Sequence, residues 1–431
     1  MARNREIVKD IPGDKAMLVA LNLFWFGFII YIASYVISTT NQVNYIICNL
    51  FQVLGLLLLL PSFVILMHIK IESSYLNIVY FIYCFWLIGV VLRGIEFDYQ
   101  IIKQLLLAPN SGMFLYLVPL VLLIPITPAF LKKVFVVIVV LCIVYLIYDM
   151  LFIRQLLFPT ENLRSQGITE YFTQQLSLPG GFLILTYIYH SRKVNLFVLF
   201  TVLVTFLLAV IRARRGLMFI SFSMLFFGFF IYQYVNKTKV INIILSLFLI
   251  LIMTFVAVRI YNENRRNTFS LITERIGQRT RSEVEQYFYR DMHAQDWLIG
   301  RGLNGEYFCP GVTEGIGKIT IYRKVIETGY LQVILNGGLI SLVLMLLIAI
   351  PAMFKGIFFS KNILGKAAGI WIFLFLLFMY PGTPTIFSLN YMLVWISISI
   401  CYSEKIRNMS DKGIKNLLKA TKSGHFQKSE H

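Results

Sequence analysis

Acidic residues are scarce in this chain. Its 431 residues hold 21 Asp and Glu against 39 Lys and Arg, with only 5 His and 5 Cys. His68, His190, His293, His425 and His431 are scattered, and no acidic pair shows ligand-like spacing, so no metal site and no cofactor are expected. Cys48, Cys84, Cys142 and Cys401 lie in apolar runs and only Cys309 in a polar one. One lone polar-side cysteine closes no intrachain bridge, so no disulfide framework is implied. No small-residue cleavage site follows the first apolar run, about Ala16 to Ile37, so the basic "MARNREIVKDIPGDKAM" leads into an uncleaved helix and not a signal peptide. The string "GRGLNG" (300–305) lacks the Lys-Ser/Thr pair and the strand–turn–helix setting of a phosphate loop, which leaves nucleotide binding little weight.

Hydrocarbon is abundant. The chain is 58% hydrophobic, with a mean hydropathy of +0.75, whereas soluble domains sit at roughly 45–50% apolar. Apolar runs long enough to span a bilayer recur along nearly its whole length, and 37 Phe and 24 Tyr suit lipid-facing surfaces and interfacial belts. The expected fold class is all-α: a polytopic integral membrane protein of about twelve transmembrane helices. The expected spans are 16–37, 44–67, 75–92, 113–131, 134–150, 171–190, 194–211, 216–235, 240–258, 329–353, 363–380 and 383–402. Residues 1–258 then hold helices one to nine, 259–328 one large loop before the tenth helix, 329–402 the last three helices, and 403–431 a basic tail.

Charge placement tests the count. With the N-terminus in the cytoplasm, the inner segments collect most lysines and the basic tail from Lys405 to Lys428, while the short outer loops hold Arg93, Lys103, Arg154, Arg164 and the arginines of "VIRARRGLMF". This asymmetry puts both ends inside. It also means that the formal charge of +18 is largely topological and needs no nucleic acid to explain it. The tail spaces Ile406, Ile414, Leu417 and Leu418 among lysines, as either a helix on the cytoplasmic membrane surface or a disordered basic segment would.

Arg212, Arg214 and Arg215 break the pattern. They sit in an outer turn between spans seven and eight, where topology does not need them and where arginine beside hydrocarbon is expensive. Arginine's flat, permanently charged fork binds phosphate or carboxylate in a bidentate way. Together with the arginine-rich loop, whose "FSLITERIGQRTRSEVEQYFYRDMHAQDWLIG" looks largely helical, the three make a cradle for a polyanion at the membrane surface, such as a lipid diphosphate. The plainer account has the loop arginines pairing with the loop's own Glu263, Glu274, Glu283, Glu285 and Asp291. Arg215 fits that account least, because no acid lies near it in sequence.

Two motifs carry a resemblance. "RARRGLMFISF" opens a span with an arginine-glycine pair, and "DWLIGRGLNG" at the end of the large loop is followed by "ETGYLQVILNGGLISLVLMLL". With the span count, these resemble the O-antigen polymerase and O-antigen ligase superfamily of bacterial inner membranes. The resemblance implies metal-independent glycosyl transfer at the periplasmic face. The donor and acceptor are oligosaccharides on undecaprenyl diphosphate in the membrane lipid, and a chain-length regulator protein is an implied partner. The family's arginine before glycine falls on Arg215, with Arg212 and Arg214 beside it. A second diphosphate-holding arginine, in the loop helix, falls near Arg281, with Arg279 as the alternative. Ligases resemble one another in a His-Asn pair before the tenth span, and here Glu327 takes the His slot, which favours a polymerase. Glu327 is thus a candidate to orient or deprotonate the acceptor hydroxyl, or else a carboxylate pairing with Arg323 or Lys324 or facing a helix start. Tyr287, Tyr289, Trp297 and Tyr307 are candidates to stack on sugars or to anchor at the interface. A ligase, or a lipid-linked-glycan flippase, remains the alternative; capsule or exopolysaccharide is an alternative product.

Overall fold

A computed structural model describes residues 15–95, 97–157, 163–237, 280–310 and 321–420, with the single positions Ile241 and Arg259. The described residues of the chain are nearly all helical. Its helices are α1 (Lys15–Ser38), α2 (Tyr45–Leu66), α3 (Ser74–Leu92), α4 (Tyr99–Leu107), α5 (Phe114–Leu117), α6 (Pro128–Leu151), α7 (Ile153–Leu157), α8 (Leu163–Phe172), α9 (Gly180–Leu185), α10 (Arg192–Ile211), α11 (Arg215–Asn236), α12 (Thr280–Asp291), α13 (Ala294–Ile299), α14 (Gly329–Phe359), α15 (Ile363–Phe378), α16 (Leu389–Tyr402), α17 (Glu404–Asn408) and α18 (Asp411–Ala420). Two short strands, β1 (Tyr307–Phe308) and β2 (Tyr322–Arg323), pair antiparallel in the loop.

Among the described residues seven helices, α1, α2, α3, α6, α10, α11 and α14, are long and apolar enough to cross a membrane. Each keeps large apolar side chains on its outer face, such as Phe26, Leu50, Phe85, Phe200 and Phe222. Side chains of that size facing outward on spanning-length helices mark a membrane-embedded protein.

The other expected spans are shorter or broken, and the breaks have identifiable causes. The expected 113–131 and 134–150 divide instead at Ile124–Thr127. The segment before the break is α5 and a 3-10 stretch, Val118–Leu123. After it, Pro128 takes the first helical position and Thr127 caps the helix by accepting from Phe130 N–H at 3.1 Å. The expected 171–190 is no continuous helix: α8 widens into a π-helical turn at Thr173–Ser177, and α9 starts only after Pro179. Proline lacks the N–H that would bond four residues back and crowds that carbonyl, so the backbone widens ahead of it. The expected 240–258 lies outside the described residues.

At the centre stands α16, apolar and buried on every side. Its Trp395 stacks on Tyr83 of α3 at 5.7 Å between ring centroids. As far as Ala420 the tail is helical, and α17 and α18 fold back on the bundle. Asn362 donates to the carbonyls of Ile406, Arg407 and Met409, Asp411 accepts from Ile363 N–H and Tyr189 OH, and Ile414 is buried.

The large loop is docked as well. Val284, Phe288, Met292, Tyr307 and Ile326 form a second core over Leu331, Ile334 and Leu335 of α14. α14 breaks at Gly338, and the carbonyls of Leu335, Asn336 and Gly337 receive donors from elsewhere: Arg301 N–H at 2.7 Å, Gly302 N–H at 2.9 Å and Trp86 Nε1 at 2.9 Å. Asn336 in turn donates to the carbonyls of Gly302 and Leu303, and Arg93 to those of Ile299 and Gly300. "GRGLNG" is therefore a strap across a helix break.

Arg301 ties that strap to the loop helices. Its guanidinium donates to Asp291 at 2.5 Å, Asp296 at 2.7 Å and the carbonyl of Glu306 at 2.6 Å. So one loop arginine does pair with loop acids, as the plainer account has it. Burial pushes the Asp296 carboxyl up, but the bonds from Arg301 and from His293 N–H outweigh this and hold it below its ordinary value. A depressed carboxylate stabilises the fold fully above its ordinary value, near pH 4, and that contribution is lost as pH falls through the lower folded value. Proteolysis of the loop in detergent is thus expected to accelerate below about pH 4. Arg301→Ala is expected to give the same sensitivity at neutral pH, at a cost on the order of 2–4 kcal/mol. Unchanged cleavage in both tests would remove Arg301 as the tie.

Candidate functional site

The turn between α10 and α11 is built by backbone geometry. Arg214 N–H bonds the Ala209 carbonyl at 2.9 Å and Ala213 N–H bonds Val210 at 3.1 Å, which closes α10 in a Schellman motif. The left-handed position of that motif usually holds glycine; here Ala213 takes it, buried, at φ 53°. A Cβ there costs on the order of 1–2 kcal/mol. The alanine gives the three arginines one fixed set of directions. Ala213→Gly is expected to leave the melting temperature in detergent equal or higher while lowering activity several-fold, as a loosened turn would; an unchanged activity would mean that the strain has no role.

The three arginines have three fates. Arg212 is buried. Arg214 makes an ion pair with Glu170 at 3.2 Å. Arg215 is exposed, and among the described residues no hydrogen bond or ion pair engages its side chain. It opens α11, whose first turn carries no acid and whose N-terminal residue supplies no side-chain cap. Helix N-termini carry partial positive charge and unsatisfied N–H groups, normally answered by Asp, Glu, Ser or Thr. Here two arginines reinforce the charge, as an anion-binding end requires.

The turn at 379–383 brackets this end against the loop. A Cβ on Gly216 would lie 2.9 Å from the Pro381 carbonyl, which is why glycine follows Arg215. Gly329 N–H bonds the Met379 and Gly382 carbonyls at 2.8 and 3.0 Å, and Thr383 Oγ1 donates to the carbonyls of Ile326 and Glu327. One short turn thus fixes the start of α11, the start of α14 and the end of the loop together.

Between them lies a cavity of 670 Å³. Arg214, Arg215, Glu170 and Gln174 line one part, and Lys324, Glu327, Asn304 and Gln332 another. Its remaining wall is rich in tyrosine, with Tyr35, Tyr83, Tyr116, Tyr171 and Tyr391. Tyr83 and Tyr391 are buried, with rings stacked on Trp395 and Phe375, while Tyr35, Tyr116 and Tyr171 are half-buried; rings of this kind with polar edges suit sugar.

The cavity therefore gathers Arg214, Arg215 and Glu327, three of the residues expected from sequence. Arg212 does not line it and instead sits buried behind the turn. Arg279 lies outside the described residues, and Arg281 is described only by its backbone, in the first turn of α12. Lys324, one expected partner of Glu327, pairs with Glu306 at 3.3 Å. The loop aromatics take structural places. Tyr307 is fully buried, Tyr289 and Trp297 stack on each other at 5.9 Å, and none of Tyr287, Tyr289, Trp297 or Tyr307 lines the cavity. Glu170, Gln174 and the five tyrosines were missed. Glu170, Tyr171 and Gln174 had one sequence signal, the polar run "TEYFTQQLS" (169–177) at the start of an expected span and ahead of a proline; the other four tyrosines lie in apolar stretches and had none.

Comparison with known proteins returns no match: no protein-family model, no curated protein and no solved structure is similar to this chain.

Proposed function

We propose that this chain is a surface-polysaccharide polymerase of the O-antigen type. In this reading about twelve spans cross the bacterial inner membrane, both termini are cytoplasmic, and the loop and cavity face the periplasm. An acceptor sugar hydroxyl attacks the anomeric carbon of an oligosaccharide linked to undecaprenyl diphosphate. The carbon–oxygen bond to the diphosphate breaks and its electron pair leaves with the phosphate. Arg215, Arg214 and the N–H groups opening α11 hold that growing charge, which is electrostatic stabilisation supplied by groups already in place. Glu327, on the cavity wall, orients the acceptor hydroxyl or takes its proton.

One observation carries the reading: an arginine with no side-chain partner among the described residues, at a helix N-terminus whose first turn holds no acid, exposed on a cavity of 670 Å³ that also holds carboxylates and tyrosines. The test is a gel of surface glycolipid from the source bacterium with the gene deleted and then restored. Loss of the long ladder with a single repeat unit still on its anchor supports a polymerase. Loss of every repeat points to a ligase or a flippase, and a build-up of periplasm-facing lipid-linked polymer then singles out the ligase. An unchanged ladder rejects the reading.

A further inference from the structure

Glu170 is a carboxylate of the cavity that the proposed reaction leaves unused. It stands on α8 one turn before the π-helical segment, and Gln174 Nε2 from that segment donates to its Oε1 at 3.2 Å. Its Oε2 meets Arg214 Nη1 at 3.2 Å. The contact is incomplete for an arginine–carboxylate pair. It is a single contact, the two side chains are 22% and 41% exposed on the cavity, and Arg214 Nε is buried with no hydrogen-bond partner among the described residues. Bidentate pairs with two short bonds are the strong ones; half-exposed single contacts change an equilibrium by no more than about five-fold. A diphosphate offers several oxygens and more than one negative charge to the same guanidinium, and among the described residues no hydrogen bond or ion pair engages the Arg215 side chain beside it.

We infer that Glu170 is an exchangeable counter-ion: it occupies Arg214 in the empty site, yields it to the diphosphate of the donor, and reclaims it as the lipid diphosphate departs. This rests on the reading of the cavity as a diphosphate site. The carboxylate competes with bound anion, so it weakens donor binding somewhat and speeds product release by the same competition. π-helical turns are themselves frequent at functional positions, because the widened turn aims side chains that a regular helix would stack. No covalent step falls to Glu170.

Binding and turnover should then move in opposite directions, which a merely structural role would not produce. The full-length protein, purified in detergent, is titrated with inorganic diphosphate, and polymer formation is followed on lipid-linked repeat units. Glu170→Gln is expected to bind diphosphate about 2- to 5-fold tighter than the native protein, to turn over more slowly, and to be inhibited by less added undecaprenyl diphosphate. Arg214→Ala is expected to bind it more weakly. Glu170→Asp keeps the charge but draws it back by one methylene, so it should tighten binding less; it serves as the second variant if Glu170→Gln fails to fold. Equal or weaker binding by both Glu170 variants, with native binding that still depends on Arg215, overturns the counter-ion role and leaves the proposed function standing. No binding of diphosphate to the native protein overturns both.

Discussion

Replacing Arg215 with alanine is expected to abolish polymer while the protein remains folded in the membrane. The two halves of this expectation have separate causes. Arg215 is exposed and engages no partner among the described residues, so its removal takes nothing from the fold; surface changes of this kind stay within about 0.5 kcal/mol. Removing it does take away the nearest full charge from the N-terminus of α11. Losing one preorganised donor to a developing anion typically lowers turnover by about 100- to 1,000-fold. Arg215→Lys keeps the charge but not the planar fork, so it should fall between the two. The comparison residue is Lys193, exposed near the start of α10 at the opposite end of the same helix pair; Lys193→Ala should leave the glycolipid ladder intact. The measurement is ladder length on a gel, normalised to protein recovered in the membrane fraction. A normal ladder from Arg215→Ala would remove the diphosphate role from this arginine and with it the main support for a polymerase.

What the sequence made legible follows from which forces act locally. Apolar runs report where helices must be, because backbone groups in hydrocarbon are satisfied within the helix. That is why α1, α2, α3, α10 and α11 lie where composition alone puts them. The arginine-glycine pair was legible too, as an exception to the charge pattern. Its physical reason was not: Gly216 is dictated by the Pro381 carbonyl, a group 165 positions away in the chain. The partner of Arg214 was hidden for the same reason. No acid stands near it in sequence, and Glu170 reaches it only because α8 and α10 close on the same end of the bundle. The loop aromatics misled in the opposite sense. Aromatic residues in a polar segment look available for a ligand, yet of Tyr287, Tyr289, Trp297 and Tyr307 none lines the cavity, and Tyr307 is fully buried in the loop's own core beside Phe288. Hydropathy likewise gave no sign of the breaks at Ile124–Thr127 and at Thr173–Ser177, each of which stands close to a proline.

Gly338→Ala is expected to release the large loop from the bundle. Gly338 lies at φ 69°, ψ −177°, and Gly300, directly across from it, at φ 70°, ψ 177°; this region of backbone space is essentially restricted to glycine. A Cβ on Gly338 would sit 2.1 Å from the Leu298 carbonyl, and one on Gly300 would sit 2.5 Å from Gly338 N. Conformation and overlap together are worth on the order of 3 kcal/mol. The same change closes the helix break that offers the Leu335 and Asn336 carbonyls to Arg301 and Gly302. Glu327 lies between that docked strap and the start of α14, so a released loop also moves the cavity wall. Limited proteolysis should therefore cut between residues 291 and 310 in the variant and not in the native protein, with the ladder lost in parallel. Gly413→Ala on the tail side, where an added Cβ meets only Ser410 Oγ at 3.4 Å, should change neither. Because Gly300 and Gly338 guard one contact, the double alanine variant should be little worse than either single one; neighbours that share a contact do not add. Additive losses would mean that the two glycines protect separate contacts, and native resistance in Gly338→Ala would mean that the strap does not hold the loop.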